Sequence, residues 1–253
     1  MKFILIIPAR YQSSRFPGKP LARLGNKPII QHVYESACQA IEQVWVATDD
    51  QRIFDCVTNF GGNALMTGSD LQSGTDRCAQ AARKISEQTP FDVVINIQGD
   101  EPFIHPSQIE LLKSCFSNSS DEIATLIKKI EDPEILFNPN RPKVVIDSRQ
   151  QAIFFSRSPI PYVRGTAADK WLDVHTFYHH IGLYAYRKDI LSRITRLTVS
   201  PLEKAESLEQ LRWLENGYRI RTATTNSESM GIDTPEDLEK AHQFLQHVQD
   251  NNQ

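Results

Sequence analysis

Short apolar runs separated by amphipathic stretches constrain this chain most. Phe3 to Ile7 reads as a strand buried on both faces, Val44 to Thr48 and residues 92–97 (DVVINI) as further buried strands, and Ala64 to Thr67 as a short one. Between them, Pro28 to Ile41 reads as a helix with Ile29, Val33, Ala37 and Ile41 on one face, and 51–60 as a second helix closed by Gly61-Gly62. Strands alternating with helices predict a doubly wound α/β arrangement with a mainly parallel sheet. Pro8 is expected to stop the first strand.

From about residue 119 to 186 the rhythm changes. EIATLIKKI (122–130), KVVID (143–147), AIFFS (152–156) and GLYAYR (182–187) are strands with few helices between them. They predict an antiparallel extension, a subdomain within one domain spanning 1–253. Residues 202–215 read as one strong helix, 218–224 as a strand, and Thr234-Pro235 as the N-cap and first position of a final helix. There is no internal repeat, and only the tail QDNNQ looks disordered.

With a net charge of −3 and a pI near 6.2, the chain has no global attraction to nucleic acid or acidic membranes, so any anion site must be local. Cys38, Cys56, Cys78 and Cys115 form no C-x-x-C pair; three fall in helical patterns and read as buried reduced thiols. Residues 3–7 are too few for a signal-peptide core, and no apolar run is long enough to cross a bilayer; a cytoplasmic protein is expected.

A basic loop follows the first strand. Arg10, Arg15 and Lys19 sit among Ser13, Ser14 and Gly18, at the end of the strand where open α/β sheets bind ligands. A solvated loop is the bland alternative, but the Pro- and Gly-constrained turn after a core strand favours phosphate. Neither G-x-x-x-x-G-K-[ST] nor G-x-G-x-x-G is present, which argues against a P-loop ATPase or a standard dinucleotide dehydrogenase. Arg forks and a mobile Lys instead suit a triphosphate whose pyrophosphate is held and then released.

Five further places can carry chemistry. After DVVINI comes Gln98-Gly99-Asp100-Glu101-Pro102, which delivers an Asp where a magnesium ligand belongs in phosphoryl transfer. Ser73-Gly74-Thr75 precede a helix with Asp76 in its first turn, and read equally as a capped helix or as a nucleobase or ribose contact with Arg77 facing the same cleft. Asp49-Asp50 could bind a metal or ribose, but a cap for the next helix is preferred. His179-His180 are adjacent on a strand and so point to opposite faces, which argues against a joint metal site; one of them facing an acidic ligand is the better idea. Asp233 belongs either to the capping turn or with Asp100 in a metal site, and spacing leaves both open.

Taken together, IPARYQSSRFPGKPL, SGTDR, NIQGDEP, FSRSPIP, HHIGLYAYR, SLEQLRWLENG and GIDTPEDL closely resemble the 3-deoxy-manno-octulosonate (Kdo) cytidylyltransferase family, from first strand to last helix. The resemblance implies a Rossmann-like nucleotidyltransferase fold, CTP and Kdo as substrates, Mg²⁺ as cofactor and a homodimer. It implies that Arg10, Arg15 and Lys19 hold the CTP phosphates and that Ser73, Gly74 and Thr75 lie against the cytidine. Asp100 and Asp233 would bind magnesium, and with Arg10 and Lys19 would serve catalysis. Arg77, Gln98, Arg157, His180, Tyr184, Glu209 and Gln210 would surround the sugar acid. Asp76 stands where many members carry Glu. A CMP-sialic acid synthetase and a non-catalytic nucleotide sensor are the rival functions.

Overall fold

In chain order the elements are β1 (Phe3–Ala9), β2 (Arg23–Leu24), β3 (Lys27–Pro28), α1 (Ile29–Cys38), β4 (Val44–Thr48), α2 (Gln51–Asn59), β5 (Ala64–Met66), α3 (Gly74–Ile85), β6 (Val93–Asn96) and α4 (Pro106–Ser114). They continue with β7 (Ile123–Lys129), α5 (Pro133–Phe137), β8 (Lys143–Ile146), β9 (Ala152–Ser156), α6 (Trp171–Val174), β10 (Tyr178–Arg187), α7 (Lys188–Ile194), α8 (Pro201–Glu206), α9 (Glu209–Glu215), β11 (Ile220–Thr224) and α10 (Pro235–Asp250). This computed structural model describes residues 1–13, 15–118, 120–227 and 230–250, so Ser14 of the basic loop and the last three residues of the tail lie outside the described residues. The first two residues of that tail, Gln249 and Asp250, belong to α10. The chain forms two compact units, Met1–Glu110 with Glu228–Gln253, and Leu111–Ser227.

In the first unit, β1 lies between β4 and β6, and β5 extends the sheet beyond β4, all parallel. Ile4 to Ile7, Val44, Val46 and Val93 to Ile95 are fully or almost fully buried, as continuous apolar runs require. Ile29, Val33 and Ala37 of α1 are completely buried, each large side chain contributing about 1.5–3 kcal/mol. Ile41 lies past the end of α1 and is only half-buried.

Pro8 does not stop β1, which pairs on through Pro8↔Ala47 and Ala9↔Thr48. The carbonyl of Ile6 accepts from Ile97 N–H and Leu5 N–H donates to Gln43, so alternate residues face β6 and β4. Pro8 falls on the β6 side, where that strand has ended at Asn96, and its missing N–H costs no bond within the strand ladder.

In the second unit, β7 pairs antiparallel with β10 and parallel with β11, while β10–β8 and β8–β9 are antiparallel. The strand expected from Gly182 begins at Tyr178, and the register shifts between Ile181 and Tyr184. The helix expected over 202–215 is two helices. Ser207 adopts a left-handed conformation (φ 50°, ψ 48°) and separates α8 from α9. Arg157 explains the break, because its guanidinium donates to the carbonyls of Glu206 (2.5 Å) and Ser207 (3.2 Å). Those carbonyls are satisfied by a side chain distant in sequence, which no local periodicity records. All four cysteines are free: Cys78 and Cys115 are buried, Cys56 is half-buried, and Cys38, against expectation, is exposed at the end of α1. Among the described residues no helix is long and apolar enough to cross a membrane.

Candidate active site

A cleft of about 290 Å³ opens in the first unit at the carboxyl ends of β1 and β6. Pro8 to Arg10, Ser13, Arg15 and Lys19 bound one side; Gln72 to Gly74 and Arg77 bound a second; Gln98 to Asp100 and Asp233 close it. Four segments far apart in sequence meet here.

The basic loop leaves β1 and turns back at Gly18, whose φ of 73° is left-handed and suits a residue without Cβ. Gly18 N–H donates to Tyr11 O at 2.8 Å, and a Cβ at Gly18 would come 3.1 Å from the Tyr11 ring. On the ring's centroid, 3.3 Å away, rests the Arg52 guanidinium, itself held by both carboxylate oxygens of Asp50 (2.9 and 2.7 Å). Tyr11 thus ties the loop to the start of α2. The loop presents Arg10 exposed at the rim, Arg15 largely exposed, and Lys19 turned inward with its side chain 10% exposed.

Asp100 arrives through tight packing. A Cβ on Gly99 would lie 3.1 Å from the Pro8 carbonyl oxygen, a tight contact that glycine spares where the Gln98–Asp100 turn sits against β1. Asp233 is brought in by a backbone bond, Ile232 N–H to Asp100 O at 2.9 Å. Lys19 Nζ then reaches both carboxylates, 2.5 Å from Asp100 Oδ2 and 3.0 Å from Asp233 Oδ1. Arg15 takes the other oxygen of Asp233 at 3.1 Å.

The capping alternative for Asp233 is resolved by its neighbour. Thr234 Oγ1 accepts from Asp237 N–H, and Asp237 Oδ2 accepts from the N–H groups of both Asp233 and Thr234. Asp237 closes the capping box at the start of α10 and leaves the Asp233 carboxylate to the cleft. Similarly, Asp50 caps α2 through Arg52 N–H at 2.9 Å. Asp49 instead takes Arg77 at 3.0 Å. Reading the pair as a cap missed this, although two adjacent carboxylates cannot both cap one helix, and that was the available signal.

Ser73 caps α3 with a capping box completed by Asp76. Gly74 also has a packing reason, since a Cβ there would fall 3.1 Å from Gln98 Oε1 and 3.3 Å from Pro8 Cγ. Ser73 and Gly74 line the cleft; Thr75 is buried in the first turn of α3 and is not among the described lining residues. Arg77 is 3% exposed and donates to Thr67 Oγ1 (2.6 Å), Gly68 O (3.2 Å) and Asp49. It borders the cleft as a braced side chain. Thr67 and Gly68 complete that brace and carry no signal in the sequence.

The remaining expected sugar contacts lie in the second unit. His180 is half-buried, its Nε2 2.9 Å from Thr125 Oγ1 and its ring against Phe155 and Tyr184. Burial, and secondarily His179, push its pKa down to about 3, so the imidazole is neutral at ordinary pH. Burial and then the charge of Glu209 hold the Tyr184 hydroxyl well above the usual phenol range. Gln210 Nε2 is buried without a hydrogen-bond partner among the described residues. Glu209 opens α9 and pairs with Arg212 at 3.1 Å. Arg157 adds a bond to Pro139 O (2.9 Å) to its two at the helix break and keeps further N–H donors.

Among the described residues no cluster of three or more His, Cys, Asp or Glu is arranged to hold a metal. Two carboxylates converging on one point nevertheless fit Mg²⁺, which commonly takes one or two carboxylates and completes its shell with phosphate oxygens and water.

A family profile described as "Cytidylyltransferase" matches residues 4–220. The chain is 57% identical over 249 residues to a 3-deoxy-manno-octulosonate cytidylyltransferase of Parabacteroides distasonis, covering 97% of this chain and 98% of that one. It is 54% identical over 248 residues to the protein of that description from Bacteroides thetaiotaomicron, with the same coverage. A solved CMP:2-keto-3-deoxy-manno-octonic acid synthetase complexed with CTP is 43% identical and superposes with a TM-score of 0.89, covering 98% of this chain and all of that one. The chain belongs to the 3-deoxy-manno-octulosonate cytidylyltransferase family.

Proposed function

We propose that this chain transfers the cytidylyl group of CTP to Kdo, giving CMP-Kdo and pyrophosphate for lipopolysaccharide synthesis. The observation that carries this is the meeting of Asp100 and Asp233 on Lys19, with Arg15 on Asp233 and Arg10 lining the same cleft. The reaction is in-line attack of the anomeric hydroxyl on the α-phosphorus, with no covalent enzyme intermediate. Its demands are therefore positioning and charge compensation.

Arg10, Arg15 and Lys19 neutralise the triphosphate and the departing pyrophosphate, the two Arg as forks and Lys19 as a movable charge. Ser73 and Gly74, with Thr75 behind them in sequence, lie against the cytidine. Asp100 and Asp233 would hold Mg²⁺, which would supply positive charge to the reacting phosphate. Gln98, Arg77, Arg157, His180, Tyr184, Glu209 and Gln210 serve the sugar acid. A neutral His180 can orient a sugar hydroxyl without adding charge, and the unpartnered amide of Gln210 is a buried donor with a bond to give. The free cysteines fit a reducing cytoplasm. Exposed Phe137 and Tyr162 flank Trp171 (6.0 and 5.2 Å between ring centres), and this patch supports a homodimer, which sedimentation would test.

The test is pyrophosphate release from CTP and Mg²⁺ with Kdo, 8-amino-Kdo or N-acetylneuraminate as acceptor. Release that depends on Kdo or its 8-amino form is expected. Equal release with N-acetylneuraminate, or release without any acceptor sugar, would reject the assignment.

A further inference from the structure

Lys19 stands between the two carboxylates assigned to the metal. Its Nζ lies 2.5 Å from Asp100 and 3.0 Å from Asp233, and Arg15 sits 3.1 Å from the second oxygen of Asp233. Two carboxylates thus face two cations, and the set is neutral. A divalent ion using both carboxylates would have to take the place of the ammonium. Beside it, the two like charges would repel strongly.

We propose that Lys19 is an exchangeable counter-ion, closing the carboxylate pair to divalent ions until a polyanion draws its ammonium away, so that metal and triphosphate load together. This rests on the assignment of Asp100 and Asp233 as metal ligands made above.

The groups differ in their freedom to move. Asp100 is fixed by the bond from Ile232 to its carbonyl and by the packing of Gly99 on Pro8. Asp233 precedes a capped helix and donates its own N–H to Asp237 at 3.1 Å. Lys19, by contrast, carries its charge on a four-carbon stem with three rotatable donors, and can redirect it without moving the backbone. Arg10 and Arg15 border the same cleft, so an entering polyphosphate meets three cations. As Lys19 turns to the phosphates, one ion pair replaces another, and the freed carboxylates face a site ready for a divalent ion. A free divalent ion has no such exchange to offer and meets the closed pair.

The test is Mn²⁺ titration without nucleotide, counting unbound ion by electron paramagnetic resonance. Lys19→Met keeps the stem and removes the charge; Lys19→Gln is the second variant should the first fail to fold, with folding checked by thermal melting in chelator. The variant is expected to bind one Mn²⁺ at least about tenfold more tightly than the unaltered chain, about 1.4 kcal/mol. Adding Asp100→Asn should abolish that gain. Equal affinity in both chains, weakened in both by Asp100→Asn, would overturn the exchange while leaving the metal ligands in place. No Mn²⁺ bound by either, with Kdo-dependent turnover indifferent to Asp100→Asn, would overturn the metal assignment itself.

Discussion

The backbone N–H of Ile232 donates to the carbonyl of Asp100 across 2.9 Å, and this bond places Asp233 beside Asp100 although the two are remote in sequence. Around it, Asp100 rests on Gly99, which rests on the Pro8 carbonyl, and Gly231 lies against Glu101, where an added Cβ would come 3.2 Å from Oε1. The carboxylate pair is thus held chiefly by the Ile232–Asp100 backbone bond and the packing of Gly99 on the Pro8 carbonyl. The side chains that meet there inherit their positions from main-chain geometry.

Gly99→Ala tests this support. The new methyl would lie 3.1 Å from a backbone oxygen that has no rotamer to change, so the turn must shift and carry Asp100 with it. A stability loss of about 1–3 kcal/mol is expected, with a fall in kcat of roughly tenfold to a hundredfold, because small misplacements at a reacting centre are costly. Denaturant melts and steady-state kinetics read the two effects. Unchanged kcat in the folded variant would mean that the turn does not position Asp100.

The Asp49–Arg77 pair is predicted to matter for stability at any ionic strength. The Arg77 side chain is 4% exposed and that of Asp49 18%, so salt screens them little. Asp49→Ala leaves a buried guanidinium short of a charge partner. The cost should be on the order of 2 kcal/mol, below the 3–5 kcal/mol of full burial. Urea melts at low and high salt should give the same loss; a loss that vanished in high salt would mark the pair as a surface contact.

His180 predicts a pH dependence. Its folded pKa of about 3 lies below the ordinary 6.5. Above pH 6.5 neither folded nor unfolded imidazole is protonated, and the group contributes no slope. As pH falls from 6.5 toward 3 the unfolded chain takes up a proton that the folded chain refuses, removing about 1.4 kcal/mol per pH unit. Below 3 both are charged and the slope ends. Stability of the unaltered chain should therefore fall more steeply through that window than that of His180→Gln. Parallel curves would contradict a neutral imidazole in the folded chain.

The strands of both units were legible because their apolar runs and alternations are local properties, as at Val44–Thr48 and Ala152–Ser156. What was not legible came from distant partners. Arg157 splits a run that reads locally as one helix, and Pro8 stays in β1 because β6 has already ended. The cations and aspartates of the cleft could be named from their places after strands. That Lys19 bridges both carboxylates, that Asp237 rather than Asp233 completes the capping box of α10, and that Asp49 holds Arg77 required three dimensions. Neither spacing nor residue type encodes which of two neighbouring carboxylates turns inward.

The most direct test of the account is single-turnover pyrophosphate release by Asp100→Asn at saturating CTP, Mg²⁺ and Kdo, with CTP affinity measured alongside. The substitution removes one charge at the reacting phosphate and little of the nucleotide's grip. Turnover should fall by at least about 10²-fold, as when one transition-state stabiliser is lost, with CTP affinity changed only modestly. Release at close to the unaltered rate would contradict the account and remove Asp100 from the chemistry.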